Sequence, residues 1–144
     1  MTPLTAIRLS VIVPVYDEVE ALPTLVQSVA QVLDEIGLRA EIIAVDDGST
    51  DGSFAKLLEL RKTEPRLRIV QLARNYGQTA ALAAGIEHAA GEVLVSMDAD
   101  LQNDARDIPR LLAALTDDVD VVNGWRQDRQ DAWLSRRLPS QIAN

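Results

Sequence analysis

The sequence predicts an α/β fold, an open sandwich in which helices flank a mainly parallel sheet. Three observations predict it. Five short runs rich in β-branched residues read as strands. The segments between them repeat their apolar residues at helical spacing. Alternation of the two implies βαβ units, whose right-handed crossovers cover both faces of a parallel sheet. The 144 residues suit a single domain, and an apolar content of 47% with only 3% aromatic residues supplies an aliphatic core.

The elements follow in order. Leu9 to Val15 (LSVIVPV) is the first strand. Leu22, Leu25, Val26, Val29, Leu33 and Ile36 then recur with a period near 3.6, which predicts a helix. Ala40 to Asp46 (AEIIAVD) is the second strand, and Phe54, Leu57, Leu58 and Arg61 mark the second helix. Leu67 to Ala73 is the third strand. A third helix, about Gln78 to Ala90, carries Ala80, Ala81, Ala83, Ala84 and Gly85, small residues that let it lie close to a sheet or a ligand. Glu92 to Asp98 is the fourth strand, Ile108 to Leu115 a fourth helix, and Val119 to Asn123 a fifth strand. Glu41, Arg68 and Gln71 interrupt two strands that should be apolar if central, so the strand order stays open.

Charge and composition exclude several functions. With 22 acidic against 14 basic residues the net charge is −8, which argues against a nucleic-acid binder, since such proteins neutralise phosphates with Lys and Arg. Cys is absent, so disulfides, thiolate metal sites and Cys nucleophiles are excluded. A lone His88 leaves no His-based zinc site and no Ser-His triad. No stretch has the apolar length of a membrane span or a signal segment, so the chain as given reads as a soluble, cytoplasmic piece. Residues 124–144 form a basic segment of net charge +2 against −10 for the rest. The chain ends at Ile142, Ala143 and Asn144 without a helix stop, and reads as truncated at the C-terminus.

In open α/β sheets, ligands bind outside the carboxyl ends of the strands. Here those ends are PVYDE (Pro14 to Glu18), DDGSTDGS (Asp46 to Ser53), RNYGQ (Arg74 to Gln78) and DADLQ (Asp98 to Gln102). Continued extended backbone would aim Asp98 and Asp100 the same way, with Gln102 joining them. Two hard oxygen donors suit Mg²⁺ or Mn²⁺, which takes its remaining ligands from water and substrate phosphates. Asp46 and Asp47 repel each other unless a partner or a ligand hydroxyl compensates, whereas Asp51 and Ser53 read as caps of the next helix. Neither GxGxxG after the first strand nor GxxxxGK[ST] occurs, which removes the dinucleotide and P-loop readings.

Taken in order, PVYDE, VDDGSTDGS, RNYGQTAALAAGIEHAAGE, DADLQ and GWRQDRQDAWLSRR resemble the inverting glycosyltransferases of family 2, with their GT-A, Rossmann-type fold. RNYGQ, DADLQN and RQDRQD resemble the branch that transfers sugars to polyprenyl phosphates, dolichyl-phosphate mannose synthases and bacterial undecaprenyl-phosphate transferases among them. The resemblance runs from about Leu9 to Asn144 and implies one nucleotide-sugar-binding domain with an acceptor-side segment at about 124–144. By it, Pro14, Tyr16, Glu18, Asp46, Asp47, Gly77, Gln78, Asp98 and Ala99 contact the nucleotide. Asp98, Asp100 and Gln102 hold the metal and diphosphate, and Arg126, Arg136 and Ser140 take the acceptor phosphate, with Arg129 and Arg137 as neighbouring alternatives.

The implied reaction moves a sugar, with inversion, from a nucleoside diphosphate to a polyprenyl phosphate. The bacterial resemblance favours a UDP-sugar, with GDP-mannose open. Membrane contact on the cytoplasmic side is expected of a full-length protein of this branch. Two alternatives stay open: a non-catalytic nucleotide-binding module, and a family 2 enzyme with a saccharide or protein hydroxyl as acceptor. A phospho-acceptor regulatory domain is disfavoured because no Lys follows Lys62.

Overall fold

The computed structural model describes residues 6–124. The elements run β1 (Leu9–Val15), α1 (Leu22–Ile36), β2 (Ala40–Asp46), α2 (Ser53–Arg61), β3 (Leu67–Gln71), α3 (Gln78–His88), β4 (Val93–Ser96), a 3₁₀ turn (Ala105–Asp107) and α4 (Ile108–Ala114). The four strands form one sheet in the order β3-β2-β1-β4, and every pairing is parallel. The chain divides into two compact units, 1–110 and 111–144.

In the first unit, β1 and β2 are the inner strands, and all but one of their residues are buried. Their alternation distributes the core between two layers. Val13 and Val15 of β1 with Ile42 and Ala44 of β2 face Leu22, Leu25, Val26 and Val29 of α1 and Leu57 of α2. On the opposite face Ile43 and Val45 pack against Ala81 of α3. Pro23 suits the first turn of α1, where its missing N–H costs nothing. Gly37 ends that helix in the left-handed region at φ 75°, its N–H donating to the Leu33 carbonyl.

Glu41 lies on β2, a central strand, because its charge is fully satisfied. Its Oε1 accepts from the Ser10 hydroxyl at 2.7 Å and the Ala90 N–H at 2.7 Å, and its Oε2 from Arg68 at 2.6 Å. Burial acts to raise the Glu41 pKa, and the bonds from Ala90, Ser10 and Arg68 outweigh it, leaving the carboxyl below its ordinary range. Arg68 and Gln71 are tolerated because β3 is an edge strand among the described residues.

Both edge strands are shorter than the sequence predicts. β3 stops at Gln71 instead of Ala73, and β4 covers Val93–Ser96 instead of Glu92 to Asp98. Among the described residues each pairs on one side only: β3 ends level with β2, Gln71 opposite Asp46, whereas β4 ends at Ser96 opposite Ile12 although β1 runs on to Val15. In the second unit the described residues hold the end of α4 and a turn in which the Val119 N–H donates to the Thr116 carbonyl. The expected fifth strand at Val119 to Asn123 does not form. No strand pairing includes these residues, and Val121 is 73% exposed. A β-branched run becomes a strand only where a neighbour takes up its backbone groups.

Candidate functional site

Because every strand is parallel, the carboxyl ends of β1, β2 and β4 open on the same edge of the sheet. A cleft of about 320 Å³ lies there. The end of β1 and the following loop contribute Pro14, Tyr16 and Glu18; the end of β2 contributes Asp47; the segment entering α3 contributes Gly77 and Gln78; the segment after β4 contributes Asp98, Ala99 and Asp100.

Asp47 organises the middle of this edge. It is only 3% exposed, and its two oxygens accept the backbone N–H groups of Tyr76 at 2.8 Å and Gly77 at 3.0 Å. These bonds compensate the repulsion expected between Asp46 and Asp47. Gly48, at φ 74°, allows the loop to close, since a Cβ there would collide with the backbone of Arg74 and Asn75. Asp46 is 1% exposed and accepts the Ser49 N–H at 3.3 Å. It does not line the cleft.

Asp98 and Asp100 both face the cleft, though not by the strand alternation the sequence suggests. β4 has ended at Ser96, and residues 99–101 form a bend with Leu101 at φ 64°. Three bonds hold the bend. The Asp98 N–H donates to the Asn103 side chain at 2.7 Å, the Gln102 N–H to Asp100 Oδ1 at 3.1 Å, and Gln78 Nε2 to Asp98 Oδ1 at 2.9 Å. Gln102 is exposed and lies outside the cleft lining. Among the described residues no group of three or more His, Cys, Asp and Glu side chains is placed to hold a metal.

Glu18 lies among these acids, and its pKa is raised, first by burial and then by the charges of Asp100, Asp51 and Asp17. Asn75 also lines the cleft, and sequence reasoning missed it. The signal was its place inside RNYGQ, the segment that follows β3 and leads into α3. Arg126, Arg129, Arg136, Arg137 and Ser140 lie outside the described residues.

An open parallel α/β sheet with an acidic cleft at its carboxyl edge defines a GT-A-like domain, and known proteins of that fold superpose on it. The Pyrobaculum calidifontis mannosyltransferase PcManGT, solved with GDP-Man and Mn²⁺, matches 81% of this chain and 36% of its own, with a TM-score of 0.67 and 26% identity. TarS 1-349 of S. aureus, solved with UDP, matches 76% of this chain and 32% of its own, with a TM-score of 0.61 and 26% identity. The chain belongs to glycosyl transferase family 2, whose model matches residues 10–143. The dodecaprenyl-phosphate galacturonate synthase of Rhizobium johnstonii is 44% identical over 99% of this chain, which spans 43% of that relative's length.

Proposed function

We propose that the chain forms the nucleotide-sugar-binding domain, with an acceptor-side segment at about 124–144, of a glycosyltransferase that moves a sugar, with inversion, from a nucleoside-diphosphate sugar to a polyprenyl phosphate. The observation that carries this is the acidic cleft at the sheet's carboxyl edge, to which the loops after β1, β2, β3 and β4 all contribute. A relative named for dodecaprenyl phosphate and a neighbour holding GDP-Man and Mn²⁺ support it. The bacterial resemblance favours UDP over GDP.

Pro14, Tyr16, Glu18, Asp47, Gly77, Gln78 and Ala99 line the nucleotide, with Asp46 holding the loop after β2 through the Ser49 N–H. The carboxylates of Asp98 and Asp100 suit Mg²⁺ or Mn²⁺, because two hard oxygen donors leave positions for water and diphosphate. Gln102 serves this pair through the backbone bond that holds Asp100. Bound there, the cation supplies charge stabilisation to the departing diphosphate. Arg126, Arg136 and Ser140 take the acceptor phosphate, since the planar guanidinium binds phosphate through paired hydrogen bonds.

An oxygen of the acceptor phosphate forms a bond to the anomeric carbon as the bond to the nucleoside diphosphate breaks, and that electron pair leaves with the diphosphate. The acceptor is already anionic near neutral pH, so no general base is required. A lipid acceptor calls for a working protein at a membrane, and the resemblance favours its cytoplasmic side. No helix among the described residues is long and apolar enough to cross one.

Transfer tests the reading: the chain is incubated with UDP- or GDP-sugars and a polyprenyl phosphate, and the product's anomeric configuration is read by NMR. An inverted lipid-linked sugar is expected. The paired change Arg126→Ala with Arg136→Ala is expected to lower transfer about 100-fold with donor binding unchanged. Donor binding without transfer would instead make the chain a nucleotide-binding module, and transfer surviving the paired change would overturn the acceptor assignment.

A further inference from the structure

The loop between β1 and α1 has no regular structure, yet it carries Tyr16 and Glu18 to the cleft. Three successive N–H groups in it donate to side chains of the loop between β2 and α2 and of the first residue of α2. Asp17 donates to Ser49 Oγ at 2.9 Å, Glu18 to Ser53 Oγ at 3.0 Å, and Val19 to Asp51 Oδ2 at 3.1 Å. One bond returns, from the Thr50 N–H to Asp17 Oδ1 at 2.8 Å. Asp17 sits at φ 51°, a left-handed conformation that side chains other than glycine adopt at a cost, so the surrounding bonds must hold it.

Asp51 is the centre of this clasp. Its Oδ2 takes the Val19 N–H, and its Oδ1 takes both the N–H and the hydroxyl of Ser53. The Ser53 hydroxyl, fully buried, passes the constraint on by accepting the Glu18 N–H. Helix capping does not account for the arrangement. The N-cap of α2 is Gly52, no side chain caps it, and one Asp51 oxygen reaches a residue 32 positions away. Burial alone would raise the Asp51 pKa, but the bonds from Ser53 and Val19 bring it below its ordinary value, as expected of a carboxylate that accepts several donors.

We infer that Asp51, acting through Ser53, is a positioning residue for the nucleoside part of the cleft: it fixes the backbone at residues 17–19, and so the places of Tyr16 and Glu18. This rests on the reading of the cleft as a nucleotide site. Asp98 and Asp100 have no hydrogen bond to the clasp among those described, and Asp100 meets it only through its charge on Glu18, so the metal and diphosphate part should depend on it less than the nucleoside part does.

The test compares UDP or GDP with Mn²⁺-pyrophosphate as calorimetric ligands of the whole chain, alongside thermal unfolding, for wild type, Asp51→Ala and Ser53→Ala. Ser49→Ala, which removes one bond at the exposed rim, serves as the mild third variant. Asp51→Ala and Ser53→Ala are expected to weaken the nucleotide about tenfold and Ser49→Ala about threefold, with pyrophosphate changed less than about twofold. Equal loss of both ligands would reduce the clasp to a purely structural role and overturn the inference. Variants that bind the nucleotide like wild type would overturn it while leaving the nucleotide reading intact. A wild-type chain that binds neither nucleotide would overturn that reading and the inference with it.

Discussion

At Glu41 a buried carboxylate holds together the start of β1, β2, β3 and the segment after α3, since its partners are Ser10, Arg68 and the Ala90 N–H. Glu41→Gln keeps the shape but replaces one acceptor oxygen with an NH₂ group facing donors. It is expected to cost about 1–3 kcal/mol in urea unfolding at neutral pH. The folded pKa is lowered, so the carboxylate's contribution is fully present above its unfolded value near 4.5 and is lost as pH falls through the folded value. Wild type should therefore lose stability more steeply than Glu41→Gln as pH drops below about 4.5. Single residues were legible in proportion to how local their partners are. The sequence predicts Asp98 and Asp100 as a pair because they are two apart, but their bend depends on Asn103 and Gln78. Asp47 was readable as an acid that needs a partner. That the partners are Tyr76 and Gly77, 29 and 30 residues away, was not.

The helix α3 lies close to the sheet because Gly85 has no side chain. A Cβ there would collide with Ile12 Cγ2 and stand 3.2 Å from Val45 Cγ2. Gly85→Ala gains about 1 kcal/mol of helix propensity, whereas overpacking a fitted core costs about 1–3 kcal/mol. The change is expected to lower the thermal midpoint, and a raised midpoint would show that the helix can move away freely. The run of small residues announced this close packing from the sequence. β1, β2 and α1 were legible to the residue because their apolar residues dominate, with Glu41 the one charged residue inside either strand, and they lie in the middle of the core. The ends of β3 and β4 and the fate of residues 119–123 were not, because a strand forms only where its backbone groups find partners on a neighbouring strand, which local pattern does not encode.

Across the whole molecule, a chain of net charge −8 offers its proposed anionic donor an acidic cleft. Acid against diphosphate is repulsive, so binding there calls for a cation to bridge the two. The cleft forms without a nucleotide-binding glycine fingerprint, because parallel strands bring four loops to one edge and Asp47 and Gly48 seat one of those loops on another. Calorimetric titration with UDP and with GDP, each with and without Mn²⁺, tests this most directly. One nucleotide is expected to bind with Mn²⁺ and at least about tenfold more weakly without it, and Asp98→Asn or Asp100→Asn should fall to the metal-free level. Binding indifferent to Mn²⁺ and to both substitutions, or no binding by the folded chain, would contradict the assignment of the cleft as a metal-dependent nucleotide-sugar site.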